Sequence, residues 1–168
     1  MTDHRARIQG AASAVLEPGE PVLAATRAAT EGSALGILGG VALILALSAE
    51  HRSRANAQGF PASMNMILAV TDRRLLVFQA RSLRRARFRG EVAFDQLRDI
   101  SVQRRGLSPR LRFELASGAE VRFTTYRTDH PEAFAEAANR ARRARVESSL
   151  AVPPPPAIPA VLPPPPPR

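Results

Sequence analysis

From Met64 onward the hydrophobic positions fall with a period of two. Met66, Leu68 and Val70 alternate with Asn65, Ile67 and Ala69. Successive strand residues point to opposite faces, so this pattern predicts a strand. The second set is itself partly apolar, and the strand is expected to be covered on both faces. Thr71-Asp72-Arg73-Arg74 has the make-up of a tight turn, with aspartate in a favoured position. Leu75 to Phe78 form the return strand. A further strand is predicted over Ala86–Phe94, interrupted at Gly90, with Arg85, Arg87 and Arg89 on one face and Ala86, Phe88 and Gly90 on the other. Asp95 to Asp99 make a short connection, Ile100 and Val102 mark the next strand, and Gly106 to Pro109 a turn. The clearest hairpin follows. Leu111, Phe113 and Leu115 alternate with Arg110, Arg112 and Glu114, Ser117-Gly118 turns the chain, and Val121 and Phe123 alternate with polar residues. That is a half-buried antiparallel pair.

The period then changes. A helix is predicted from Asp129, with Asp129 and Glu132 placed to cap it, Pro131 in its first turn and arginines in its last turns. Phe134, Ala138 and Ala141 line one of its faces. At the other end of the chain, residues 5–16 read as a short amphipathic helix ended by Pro18 and Gly19. Residues 21–30 read as a first strand, against the low strand propensity of their alanines.

Between that strand and Met64 lies an uncharged run, residues 32–49, bounded by Glu31 and Glu50. Residues 32–50 are expected to form an apolar, glycine-rich helical insert built on Leu35, Gly36, Ile37, Leu38, Gly40, Val41, Leu43, Ile44, Leu45 and Leu47. As a helix, 18 residues span about 27 Å, against a bilayer core of about 30 Å. Gly32, Gly36 and Gly40 repeat every fourth position and leave a face that another backbone could approach. Three placements remain open for the insert: buried, interfacial or spanning. Residues 51–63 read as a polar loop closed by Gly59, Phe60 and Pro61.

One weak strand, six better ones and a closing helix resemble the pleckstrin-homology (PH) superfold. Phe60-Pro61 and then Ile67-Leu68-Ala69-Val70-Thr71-Asp72-Arg73-Arg74-Leu75-Leu76-Val77-Phe78 look like the hairpin of bacterial PH-like domains. Ile100, the Ser117-Gly118 hairpin and the helix start Pro131-Glu132-Ala133-Phe134 fit the same pattern. The resemblance covers residues 21–146. It implies a mainly β fold with helix: a seven-stranded antiparallel barrel or sandwich capped by a C-terminal helix. It also implies a module that binds phosphoinositides, proteins or peptides. The chain then divides into an N-terminal arm (1–20), the PH-like domain (21–147) and a proline-rich tail (148–168). The tail holds ten of the fifteen prolines between Val152 and Arg168 and is expected to be extended and disordered.

Composition narrows the chemistry. There is no cysteine, so disulfides and cysteine-based sites are excluded. His4, His51 and His130 do not share metal-ligand spacing, and Asp95 and Asp99 read as a solvated turn. No catalytic residue, metal or cofactor is expected. Every basic residue is arginine, and residues 73–112 hold twelve arginines against three acids, an excess equal to the net charge of +9 for the whole chain. Arg73, Arg74, Arg81, Arg84, Arg85, Arg87 and Arg89 form the candidate anion or lipid site, because guanidinium forks match phosphate oxygens. One tyrosine and no tryptophan argue against single-stranded nucleic acid. Residues 1–20 lack a secretory pattern, so the cytoplasm is the expected compartment, at or near the inner membrane face. The expected partner is anionic membrane lipid or a protein. Two alternatives stand: a soluble interaction scaffold using the barrel or the Pro156-Ala157-Ile158-Pro159 motif, and a small protein with one span.

Overall fold

The computed structural model describes residue 8 and residues 10–30, 41–80, 86–105 and 108–150, with only the backbone of 41–48, 105 and 150. Seven strands form one antiparallel sheet: β1 (Val22–Thr30), β2 (Asn65–Thr71), β3 (Arg74–Ala80), β4 (Ala86–Ala93), β5 (Leu97–Arg105), β6 (Ser108–Leu115) and β7 (Glu120–Thr125). Their order is β4-β3-β2-β1-β7-β6-β5, so β1 joins a four-stranded meander to a three-stranded one. Helix α1 (Val41–Ala57) lies between β1 and β2, and α2 (Pro131–Leu150) closes the domain. The weak strand expected at 21–30 is present, held by partners on both sides despite its alanines.

The inner face is one apolar core. Leu68 and Val70 of β2, Leu75 and Val77 of β3, and Leu111, Phe113, Val121 and Phe123 of the β6–β7 hairpin meet Phe134, Ala138 and Ala141 of α2. Phe60 packs within it, with ring centroids 5.1 Å from Phe113 and 5.0 Å from Phe123. The outer face of β2–β3 is apolar too. Ile67, Ala69, Leu76 and Phe78 are covered by Ile8 and Ala12 of the N-terminal arm, helical at residues 10–12. The two-sided burial expected for β2 is therefore present, and the arm supplies the second cover.

Residues 51–57, expected in a polar loop, are helical instead. Their arginines and alanines favour helix, and Glu50 and Arg54 pair one turn apart at 2.5 Å. The helix ends where Gly59 takes a left-handed φ of +82°. The Gly59 N–H bonds Asn56 O, and the Phe60 N–H bonds Ala55 O, which closes the last turn and brings buried Phe60 beside buried Ala55. Asn56 Oδ1 then accepts the Ala62 N–H at 2.9 Å and holds the return into β2.

Strand β4 carries an irregularity that alternation alone does not foresee. Val77 pairs with Gly90, but the next residue, Phe78, pairs with Phe88, so the ladder slips at Arg89. The bulge puts Gly90 on the inner face and turns Phe88 outward against Phe78, at 5.7 Å between ring centroids. Phe88 and Gly90 thus lie on opposite faces. A Cβ at Gly90 would stand 3.0 Å from two ring atoms of Pro61, and its φ is +156°.

Helix α2 begins at Pro131, later than expected, after a 3-10 turn over Arg127–Asp129 and a left-handed His130. Asp129 lies buried in that turn, 3.4 Å from Arg27. On the helix, Asn139 acts as a strand partner for edge strand β5: its Nδ2 donates to Ile100 O at 2.6 Å, and its Oδ1 accepts the Ile100 N–H at 3.2 Å.

Two substitutions test these devices by denaturant unfolding. Asn139→Leu strands both Ile100 backbone groups beneath the helix and should cost about 1–3 kcal/mol. Gly90→Ala should cost about 1–3 kcal/mol through its contact with Pro61. Unchanged midpoints would show that the clamp and the bulge do not hold the domain.

Candidate functional site

The meander sorts the candidate arginines by strand end. Ala28, Met66, Gln79 and Arg87 stand in one row across β1, β2, β3 and β4. Beyond this row lie the β1–β2 connection, which carries α1, and the β3–β4 connection, which carries residues 81–85. Antiparallel order forces both to leave from the same end of the sheet. The start of β7 lies there as well, since Phe123 pairs with Thr30. Arg87 is exposed at this end and Arg89 is exposed at the bulge two residues further along β4, and among the described residues neither has an acidic partner. Arg81, Arg84 and Arg85 lie outside the described residues, between Ala80 and Ala86.

Arg73 and Arg74 are not part of that group. They sit in the β2–β3 turn, and Arg74 is five positions from Gln79 along β3, about 17 Å at the rise of a strand. They are also engaged. Thr71 Oγ1 accepts the N–H groups of Arg73 and Arg74 at 3.1 and 3.0 Å and shapes the turn. The Arg73 guanidinium bonds Glu17. Arg74 is mostly buried and meets Glu20 with two parallel bonds, Nε to Oε1 at 3.0 Å and Nη2 to Oε2 at 2.8 Å. It also bonds Glu91 and the Val15 carbonyl, the latter at 2.9 Å. Glu20 is fully buried in its side chain and accepts the Glu17 N–H at 2.9 Å. Burial pushes its carboxyl up, but the Arg74 fork and the Glu17 N–H more than offset this and hold it at about 2. Glu20 fixes the charge of Arg74 in turn and lifts the guanidinium above its ordinary range. Both arginines tie the arm to the sheet, Arg74 through a buried fork and Arg73 through an exposed pair. Sequence proximity grouped them with the others; the hairpin separates them.

Of the insert, Leu35, Gly36, Ile37, Leu38 and Gly40 lie outside the described residues. Val41, Leu43, Ile44, Leu45 and Leu47 are in the first turns of α1, described by backbone only. Among the described residues no helix is long and apolar enough to cross a membrane. Among them, too, no three histidine or acidic side chains gather as a metal site would need. The proline tail lies outside the described residues from Ala151 onward.

The sheet order, the bridging β1 and the closing α2 define a PH-like fold. A family model described as "Bacterial PH domain" matches residues 16–140, and the chain belongs to that family. PH-like domains are in general binding modules without catalytic chemistry. No curated protein matches the chain. Residues 8 and 10–15 of the arm precede the matched stretch, although Ile8 and Ala12 are fully buried against the sheet. Their signal in the sequence was the apolar outer set of β2, which needed a cover that no strand could supply.

The Glu20–Arg74 pair predicts an acid limit. The Glu20 carboxyl is depressed from 4.5 to about 2, so its contribution is present above pH 4.5 and is lost as pH falls toward 2. Up to about 3 kcal/mol is at stake. Thermal melts should show Glu20→Gln destabilised at neutral pH, with the gap to the wild type closing across that window. A gap independent of pH would refute the assignment.

Proposed function

We propose that this PH-like domain docks on an anionic membrane surface through the sheet end that carries α1, Arg87, Arg89 and the 81–85 connection. The observation behind this reading is the shared end. The apolar insert and the arginine-rich connection are distant in sequence, and the antiparallel order has both leave the sheet from the same end. Arginines at a membrane surface meet lipid phosphates, each contributing on the order of 1 kcal/mol, while apolar residues beside them gain by entering the acyl boundary. Burial of Phe60 and Ala55 fixes the C-terminal end of α1 to the core, so the helix starts from a rigid base. Arg73 and Arg74 take no part.

Sedimentation with anionic and neutral vesicles tests this. The wild type should bind anionic vesicles, less so at high salt, and should leave neutral ones largely unbound. Changing Arg84, Arg85, Arg87 and Arg89 together to alanine should weaken binding on the order of a hundredfold or more, with the melting temperature unchanged. Equal binding of both proteins would sink the site. Absence of vesicle binding by the wild type would move the function to a protein partner.

A further inference from the structure

Helix α2 runs past the core that it closes. Its buried stripe, Phe134, Ala138 and Ala141, stops at Ala141, and residues 143–149 are exposed. The family match ends at residue 140, so this overhang belongs to the present chain and not to the shared pattern. Arg145, Val146 and Ser149, at the spacing of one helix face, form one wall of a cleft of ≈ 350 Å³. Arg73 of the β2–β3 turn, with Ala93, Phe94 and Asp95 at the end of β4, forms the other. Buried Phe94 lies deepest, while Ala93 is exposed and Val146 keeps 43% of its surface open. An apolar side chain on a cleft wall gains when a further segment covers it.

The charges around this cleft balance. Asp95 stands with two arginines, and one of these, Arg73, is already paired with Glu17 of the arm. An uncharged, apolar occupant suits such a site better than an anion does. The chain itself supplies one. Residues 151–167 carry no charge and consist of proline, alanine, valine, isoleucine and leucine. They follow Ser149, a wall residue, after Leu150 alone. Val152 precedes a proline, a position that disfavours helix and favours a change of direction.

We propose that residues 151–156 fold back along the overhang and fill this cleft. Four successive prolines, Pro153 to Pro156, favour a polyproline rod, about 12 Å long at its rise of 3.1 Å per residue. The helix wall from Ser149 back to Arg145 is roughly 6 Å long, so the rod covers it. A rod pre-set in this conformation loses little entropy on docking. Attachment through one residue also gives the segment an effective concentration in the millimolar range. A contact with a Kd of about 1 mM for a free peptide is then about half occupied within the chain. The cleft lies at the turn end of the β2–β3 hairpin, away from Arg87, and the inference does not rest on the membrane reading.

The chain has no cysteine, so a nitroxide label on Ala157→Cys enters the full-length protein at a single place. Its broadening of backbone amide signals tests the fold-back. Arg73, Phe94 and Asp95, across the cleft, should broaden as strongly as Ser149. Adding Val146→Glu and Ala93→Glu, both at exposed positions, should abolish the broadening across the cleft and leave the melting temperature unchanged. Broadening confined to the end of α2 in the labelled protein would overturn the proposal, as would broadening across the cleft that survives both substitutions. A mixture of labelled chains with unlabelled, isotope-enriched ones gives a further check. No transfer of broadening between molecules is expected, and strong transfer to Phe94 would assign the cleft to the tail of a second copy and overturn the fold-back.

Discussion

Both faces of the β2–β3 hairpin are apolar and neither tolerates water. The inner set, Leu68, Val70, Leu75 and Val77, is what any sheet of this kind buries. The outer set, Ile67, Ala69, Leu76 and Phe78, demands a second layer. Three otherwise unrelated features answer that demand. The arm lays Ile8 and Ala12 on the outer face. The bulge at Arg89 swings Phe88 outward to extend the same patch, at the cost of requiring glycine at position 90 against Pro61. The Glu20–Arg74 fork pins the arm where it turns into β1. A buried carboxylate is tolerated only when its lone pairs are taken, and here a guanidinium fork and a backbone N–H take them.

The same constraint divides the arginines into two kinds. At the turn end of the hairpin, Arg73 and Arg74 face the arm and its acids, and the planar fork serves packing. At the other end nothing acidic among the described residues meets Arg87 or Arg89. One residue type thus does structural work at one pole and stands exposed at the other. The positive charge of the segment is a sum over both, so net charge alone overstates the surface available to an anion.

Period-two alternation made the β6–β7 hairpin legible, because Leu111, Phe113, Val121 and Phe123 are apolar and their neighbours are not. It also made β2 legible as a strand with two buried faces. It failed at β4, where a single bulged residue reverses the facing of everything beyond it, so Phe88 was read on the wrong side of the sheet relative to Gly90. It was silent on 51–57, whose polar residues look like loop although arginine and alanine favour helix and Gly59 stops it. The candidate site was half legible. Arg87 and Arg89 stay at the expected end, whereas Arg73 and Arg74 are adjacent in sequence but belong to the opposite turn. Charge clustering along a chain says nothing of which end of a hairpin it reaches.

The way the insert is fastened explains how a sheet accepts an apolar helix between its first two strands. Insertion at a hairpin connection threatens the register of both strands, because a one-residue slip would exchange their faces. Here the registry does not depend on the connection. It is set by Phe60, locked between Phe113 and Phe123, and by the Gly59 turn that holds Phe60 against Ala55. Asn56 then fixes the step from Phe60 into β2. Everything N-terminal to Ala55 in the insert is thereby released from the task of aligning β1 with β2. Its apolar composition needs a cause outside the strand register, and the proposed contact with lipid at the arginine-bearing end would supply one.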